Sequence, residues 1–194
     1  MLDHMAGGRA NAGFARGYQR RWVDVMAQQT HGIHGALPNQ HDEIDNANRL
    51  AFEENFRIVK KCWTEEMLTF DGKFWKVPAG PTPWTLDTTQ KWGKGVKDGV
   101  LTSVGVVPKP LQKPHPPLWV ACSQLETLAK CGEWGMGALG FQFVSADAAH
   151  AWVHAYYNAF VKRQKKLADY VTNPNMALVS FFMCAPTDEE ARER

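Results

Sequence analysis

Short apolar runs alternate with longer stretches of helical periodicity along most of this chain, which predicts an α/β fold with parallel strands. Leu118–Cys122 is the clearest strand, an apolar run set between Pro116-Pro117 and Ser123, as in strands buried on both faces of a parallel sheet. Ser123 stands three residues ahead of Glu126, the capping-box spacing, so a helix is expected over Ser123–Trp134 with Gly135 as its stop. Met136–Phe141 and Asn175–Ala185 read as the next two strands. Between them a helix is expected over Asp147–Lys166, with Trp152, Tyr156, Ala159, Phe160 and Arg163 at helical spacing. Upstream, Arg9–Ala15 reads as a strand and Asn46–Thr64 as a helix that puts Phe52, Phe56, Val59 and Trp63 on one face. Asp71-Gly72, between Leu68-Thr69-Phe70 and Lys73-Phe74-Trp75, predicts a hairpin. Gln28–Asp45 is polar, rich in His, Gly, Asn and Gln, and reads as a long loop. Pro78–Asp98 is an excursion punctuated by proline and glycine, Val104–Val107 a short extended segment, and Pro108–Pro117 a polyproline-like connection.

Four strand–helix units in a row make half of an eight-unit barrel, which takes about 200 to more than 400 residues; a doubly wound sheet is the alternative. The ends fit a piece of something larger. Met1–Arg9 opens as the last turn of a helix with a glycine stop, and Thr187 with Glu190 forms a capping box for a helix that ends two turns later. The expected architecture is a partial (β/α)8 TIM barrel, about strands four to seven with their helices. Residues 1–194 would form one incomplete domain, truncated at both ends, with loop insertions near 28–45 and 78–117.

Composition narrows the picture. The 194 residues are 44% hydrophobic and 22% charged, ordinary for a globular domain. A formal charge of +2 argues against nucleic acid or an anionic membrane as partner. The four cysteines, Cys62, Cys122, Cys131 and Cys184, form no CxxC pair and indicate neither a zinc site nor a disulfide framework. No secretory signal stands out, and no apolar run approaches the roughly 18 residues of a membrane span, so a cytoplasmic location is expected. The eight tryptophans suit a large core and a flat-ring ligand equally.

Candidate chemistry gathers at two strand ends. The N-terminus of a helix just past Leu118–Cys122 offers unpaired N–H groups and a positive dipole end to an anion. Arg16, just past the other strand, carries a guanidinium suited to the same anion. Plainer roles stand beside these: Arg16 as an ion-pair residue, Ser123 as a helix cap, Thr127 as a helical threonine on the surface. His31, His34 and His41 lie in the polar stretch with no carboxylate or cysteine to complete a metal pattern, so no metal site is expected. Cys122 has no histidine partner in view and reads as a small buried residue rather than a nucleophile.

With these residues in place, the chain resembles the luciferase-like monooxygenases, the flavin-dependent family of bacterial luciferase. LDHMAGGRANAGFARGY is similar to the family's segment at the fourth strand. FEENFRIVKKCWTEE, FDGKFWKVP, VVPKPLQKPHPPLWVACS and LETLAKCGEWGMGAL follow in the family's order. The resemblance implies an eight-stranded barrel that binds reduced FMN at the C-terminal ends of its strands. It implies a cofactor phosphate held by Arg16 and by the turn of Cys122, Ser123, Gln124 and Thr127. Luciferase itself has an acidic residue where Cys122 stands, and several relatives a small neutral one, which implies that the backbone matters more there.

The resemblance further implies a monooxygenase that uses reduced FMN and O2 to oxygenate a small organic substrate, with reduced flavin supplied by a separate reductase. A homodimer is expected for the full-length protein. The family's catalytic histidine commonly comes from earlier strands, so no catalytic residue is named here, and these residues alone are expected to be inactive. The alternatives are an F420-dependent oxidoreductase of the same superfamily and an inactive remnant able at most to bind flavin or phosphate.

Overall fold

Apolar runs become strands and periodic stretches become helices over most of the chain, in two units, Met1–Leu118 and Trp119–Arg194. The computed structural model describes residues 1–37, 40–140, 145–163, 168, 172–179 and 183–193, and for residues 27–31 and 146 the backbone alone.

The first unit opens with the expected end of a helix, α1 (Leu2–Met5), closed at Gly7 and Gly8. Strand β1 (Ala12–Phe14) is the core of the expected Arg9–Ala15 strand. Helix α2 (Arg20–His31) corrects the expectation of a loop from Gln28. Its apolar residues Trp22, Val25 and Met26 are exposed, while Val23 and Asp24 are half-buried. Among its described side chains Val23 alone is an apolar residue turned inward, which gives little of the stripe by which helices are read from sequence. Helix α3 (Glu43–Thr64) ends where expected but starts three residues earlier, because Asp42 caps it by accepting the Asp45 N–H at 3.0 Å. Phe56, 2% exposed, sits edge-on to Phe14 with ring centroids 4.8 Å apart, so the predicted apolar face of α3 packs on β1.

Short antiparallel pieces fill the remainder of this unit: β2 (Met67–Leu68), β3 (Phe70–Asp71), β4 (Lys76–Val77), β5 (Thr82–Pro83), α4 (Asp87–Trp92), β6 (Val96–Lys97), β7 (Val100–Leu101) and β8 (Val104–Gly105). β3 pairs with β4, β2 with β8, and β7 lies between β5 and β6. The hairpin is real, but its turn is not the Asp71-Gly72 pair. Phe70 is opposite Val77 and Asp71 opposite Lys76, so the loop is residues 72–75, closed by the Gly72 N–H to the Trp75 carbonyl at 2.8 Å. The reason lies one helix away. The buried Glu54 carboxylate of α3 accepts the N–H groups of Lys73 at 3.0 Å, Phe74 at 2.9 Å and Trp75 at 2.7 Å. Those residues are thereby withdrawn from the ladder in which they were expected.

The second unit carries the parallel sheet. Strand β9 occupies Leu118–Cys122 as expected, β10 Gly137–Gly140 and β11 Met176–Leu178. β10 lies between the other two, with Ala138 level with Val120 on one side and Met176 on the other. Phe141 and residues 180–182 of the two longer expected strands fall outside the described residues, while Met183–Ala185 are not strand. Helix α5 (Leu125–Trp134) follows β9, helix α6 (Ala146–Lys162) follows β10, and α7 (Asp188–Glu193) follows β11. The C-terminal end expected for α6, at 164–166, also lies outside the described residues. α6 is capped by Ser145, whose Oγ accepts the Ala148 N–H at 3.3 Å, and α7 by the Thr187 hydroxyl. Gly135 ends α5 in the left-handed conformation, as expected.

α5 and α6 pack closely. A Cβ on Gly132 would stand 2.4 Å from the Tyr156 carbonyl oxygen, so only glycine allows this approach. Tyr156 is fully buried, its hydroxyl bonding to the carbonyls of Met136 at 2.8 Å and Asn173 at 3.0 Å. Burial pushes its pKa well above the usual tyrosine range.

Candidate cofactor-binding site

Arg16 stands two residues past the end of β1. Gly17 then turns the chain with φ 80°, and a Cβ there would stand 2.8 Å from Val23 Cγ2. The Arg16 guanidinium is 27% exposed and pairs through Nη1 with Asp45 Oδ1 at 2.6 Å. Asp45 lies in the first turn of α3, so the plainer role foreseen for Arg16 is realised in this unit. One carboxylate contact does not exhaust a guanidinium, which carries five N–H donors.

The loops around Arg16 are held by buried polar side chains. Asn48, 2% exposed, donates through Nδ2 to the His34 carbonyl at 2.9 Å and more weakly to that of Gly17 at 3.5 Å. Asp24 accepts the Gly35 N–H at 2.8 Å, and His34 Nδ1 lies 3.3 Å from its other oxygen. The Gly35 N–H, with help from His34, holds the Asp24 carboxyl below the usual aspartate range. His34 is thus occupied with a loop contact, His41 is exposed, and the side chain of His31 lies outside the described residues. Among the described residues no three His, Cys, Asp or Glu side chains gather in a group able to hold a metal ion.

Arg16 and Asn48 line a cavity of about 260 Å³ with Phe14, Phe52, Phe56 and Trp75 among its apolar walls. Pockets that enclose a drug-sized ligand span roughly 300–1,000 Å³, so this one suits part of a cofactor rather than a whole FMN. Asn48 Oδ1 is buried with no hydrogen-bond partner. The cavity therefore offers the Arg16 cation beside apolar walls, which fits a phosphate group.

In the second unit the turn after β9 departs from the sequence reading. Ser123 is not the cap of α5. Gln124 occupies that position, and no side chain caps the helix, so the donors of the first turn, Thr127 among them, keep their capacity for a ligand or solvent. The Ser123 hydroxyl is correspondingly released from the capping role. Cys122 turns into the core: it is 1% exposed, with Sγ 3.2 Å from Cys131 Sγ and 3.3 Å from the Val120 carbonyl. Only its backbone remains for a ligand. Contact with Cys122, reinforced by burial, pushes the Cys131 thiol far above the usual range, so Cys131 is a structural thiol here.

Asp45, Asn48 and Glu54 were not singled out from the sequence. A signal existed for two of them. Asn48 stands four residues ahead of Phe52 on the apolar face of α3, and Asp45 three before that, where polar residues turn inward only with a partner.

The model of the luciferase-like monooxygenase family matches residues 1–194. The chain belongs to that family. Among solved structures it is similar to the monooxygenase RslO1 from Streptomyces bottropensis, with 19% identity and a TM-score of 0.61 over 100% of this chain and 46% of that one. It is similar also to the oxygenating constituent of 3,6-diketocamphane monooxygenase from the CAM plasmid of Pseudomonas putida. That protein is a type II Baeyer–Villiger monooxygenase solved in complex with FMN; identity is 17% and the TM-score 0.61, over 99% of this chain and 45% of that one. The chain thus spans a little under half the length of either protein. No curated protein matches it. No helix among the described residues is long and apolar enough to cross a membrane.

Proposed function

We propose that this chain is strands four to seven of a (β/α)8 barrel in a flavin-dependent monooxygenase, that Arg16 is a ligand of FMN, and that the turn of Cys122, Ser123, Gln124 and Thr127 is, in its own unit, a second group suited to the cofactor. One observation carries the reading: in a chain matched end to end by the family, Arg16, just past β1, lines a cavity with Phe14, Phe52, Phe56 and Trp75. FMN in the second neighbour supports this cofactor over F420. Reduced FMN, when bound, supplies the electrons that activate O2 for transfer to a small organic substrate.

The protein's own part is placement. Asp45 fixes the Arg16 guanidinium by its Nη1 edge, and Asn48 fixes the carbonyls on either side of it in space. The uncapped N–H groups of α5 complement negative charge with their dipole. Phe14, Phe56 and Trp75 present apolar walls that exclude water. A separate reductase would supply the reduced flavin, the whole protein would act as a cytoplasmic homodimer, and the catalytic group belongs to no residue named here.

The test is binding of FMN and riboflavin to the 194-residue chain, followed by flavin fluorescence. FMN is expected to bind more tightly, and Arg16→Ala to remove most of that preference. A hydrogen bond to a charged group contributes about 1.5–3 kcal/mol, or roughly ten- to a hundredfold in affinity. Arg16→Lys keeps the charge facing Asp45 but not the bidentate fork, so it should restore only part of the preference. Equal weakening of both ligands would make Arg16 a loop-shaping residue, and absence of FMN binding would overturn the reading. Turnover by the full-length protein with reduced FMN and O2, set against reduced F420, distinguishes the two cofactors.

A further inference from the structure

Neither the histidines of the polar stretch after β1 nor the four cysteines form a metal-ligand pattern in the sequence. A different pair stands ready on α6. His150 and His154 are one turn apart and exposed, with their Nε2 atoms 3.3 Å from each other and their ring centroids 4.4 Å apart. Two Zn–N bonds of about 2.0–2.1 Å meeting at the tetrahedral angle place their nitrogens about 3.3 Å apart. The two imidazoles thus already hold the separation of a zinc chelate.

The helix beneath them is fixed by other contacts. Ser145 caps it, Tyr156 anchors it through the Met136 and Asn173 carbonyls, and Gly132 of α5 admits it at close range. His150 and His154 point away from that packing, so ion entry needs no rearrangement. Asp147, three residues before His150, and Asn158, four after His154, extend the same exposed row with a carboxylate and an amide.

We propose that His150 and His154 form a surface chelate for a divalent transition-metal ion of the zinc type, its remaining positions filled by water. Imidazole nitrogen suits Zn²⁺, Ni²⁺ and Cu²⁺ and is indifferent to Mg²⁺. Nothing in this proposal depends on flavin binding.

The experiment is titration of the chelator-stripped 194-residue chain with Zn²⁺, by calorimetry and by the ring-nitrogen resonances of the histidines, with Mg²⁺ as control. Zn²⁺ should shift the Nε2 resonances of His150 and His154 together, and Mg²⁺ should leave them in place. His150→Ala and His154→Ala should each weaken this one equivalent at least tenfold, since loss of a mere outer-shell partner already costs about 10–100-fold. The double variant should lose little more than either single one, because a chelate is broken by removing one arm. Both residues are exposed, so the variants should keep the helical signal of the parent. If Zn²⁺ leaves the two resonances unmoved, or His150→Ala binds it as the parent does, the pair is a hydrogen-bonded surface pair and the proposal is overturned.

Discussion

In Met1–Leu118 several carboxylates accept backbone N–H groups of the loops and helix ends. Asp3 accepts the Gln112 backbone and side-chain N–H groups at 2.7 and 2.8 Å, Asp24 takes Gly35, Asp42 caps α3, and Glu54 gathers three N–H groups of the hairpin loop. In Trp119–Arg194 the contacts described for fully buried side chains are made by neutral groups, the Tyr156 hydroxyl and the thiols of Cys122 and Cys131. The contrast follows from architecture. A unit of irregular loops leaves backbone N–H groups that no ladder satisfies, and a carboxylate is the side chain that accepts several at once. A parallel sheet under helices satisfies its own backbone and leaves only isolated carbonyls, which a single hydroxyl can serve.

The largest effect should come from Glu54→Ala. Hydrogen bonds to a charged group contribute roughly 1.5–3 kcal/mol each, and three are lost together. We expect destabilisation of at least about 3 kcal/mol, confined to the first unit. Hydrogen exchange read segment by segment checks this, with protection of residues 72–77 falling first. Uniform loss across both units would erase the contrast.

Tyr156→Phe should cost less, about 1–3 kcal/mol, because the ring still fills its site while the Met136 and Asn173 carbonyls lose their donor. The loss should fall on the second unit, seen as faster exchange in α5 and α6. An unchanged unfolding midpoint would mean that water replaces the hydroxyl.

The smallest effects per group, and the sharpest test of the comparison, concern pH. Asp3, Asp24 and Asp42 are lowered from the ordinary aspartate value, each first by a backbone N–H, from Gln112, Gly35 and Asp45 respectively. The stability they contribute is present above the unfolded value of about 3.9 and is lost as pH falls through their folded values. Tyr156 and Cys131 are raised, Tyr156 chiefly by burial and Cys131 chiefly by its contact with Cys122. Their contribution is present below the unfolded values, about 8.5 for cysteine and 10 for tyrosine, and is lost as pH rises past them. The first unit should therefore loosen first in acid and the second first in alkali. Exchange measured at both extremes would break the comparison if one unit led in both.

The strand β9 and the stop at Gly135 were legible in the sequence because each depends on a handful of adjacent residues. An apolar run between prolines and a polar turn has few other fates, and a glycine after the last periodic position ends a helix by its own freedom. The alternation of units, and with it the family, was legible for the same reason. What failed did so for reasons the local pattern does not carry. The hairpin register was decided by Glu54, which reached across from α3 and took the N–H groups assigned to a strand. The start of α5 was decided by the backbone path out of β9, which put Gln124 rather than Ser123 at the cap. Helix α2 went unread because most of its described apolar residues face outward, against the rule that makes helices visible. Sequence alone marked Arg16 and the turn after β9 as chemistry, but it was folding that gave Arg16 its partner Asp45 and turned Cys122 to Cys131. Side-chain type is written residue by residue, whereas a partner is set by which distant segment the fold brings within a few ångströms.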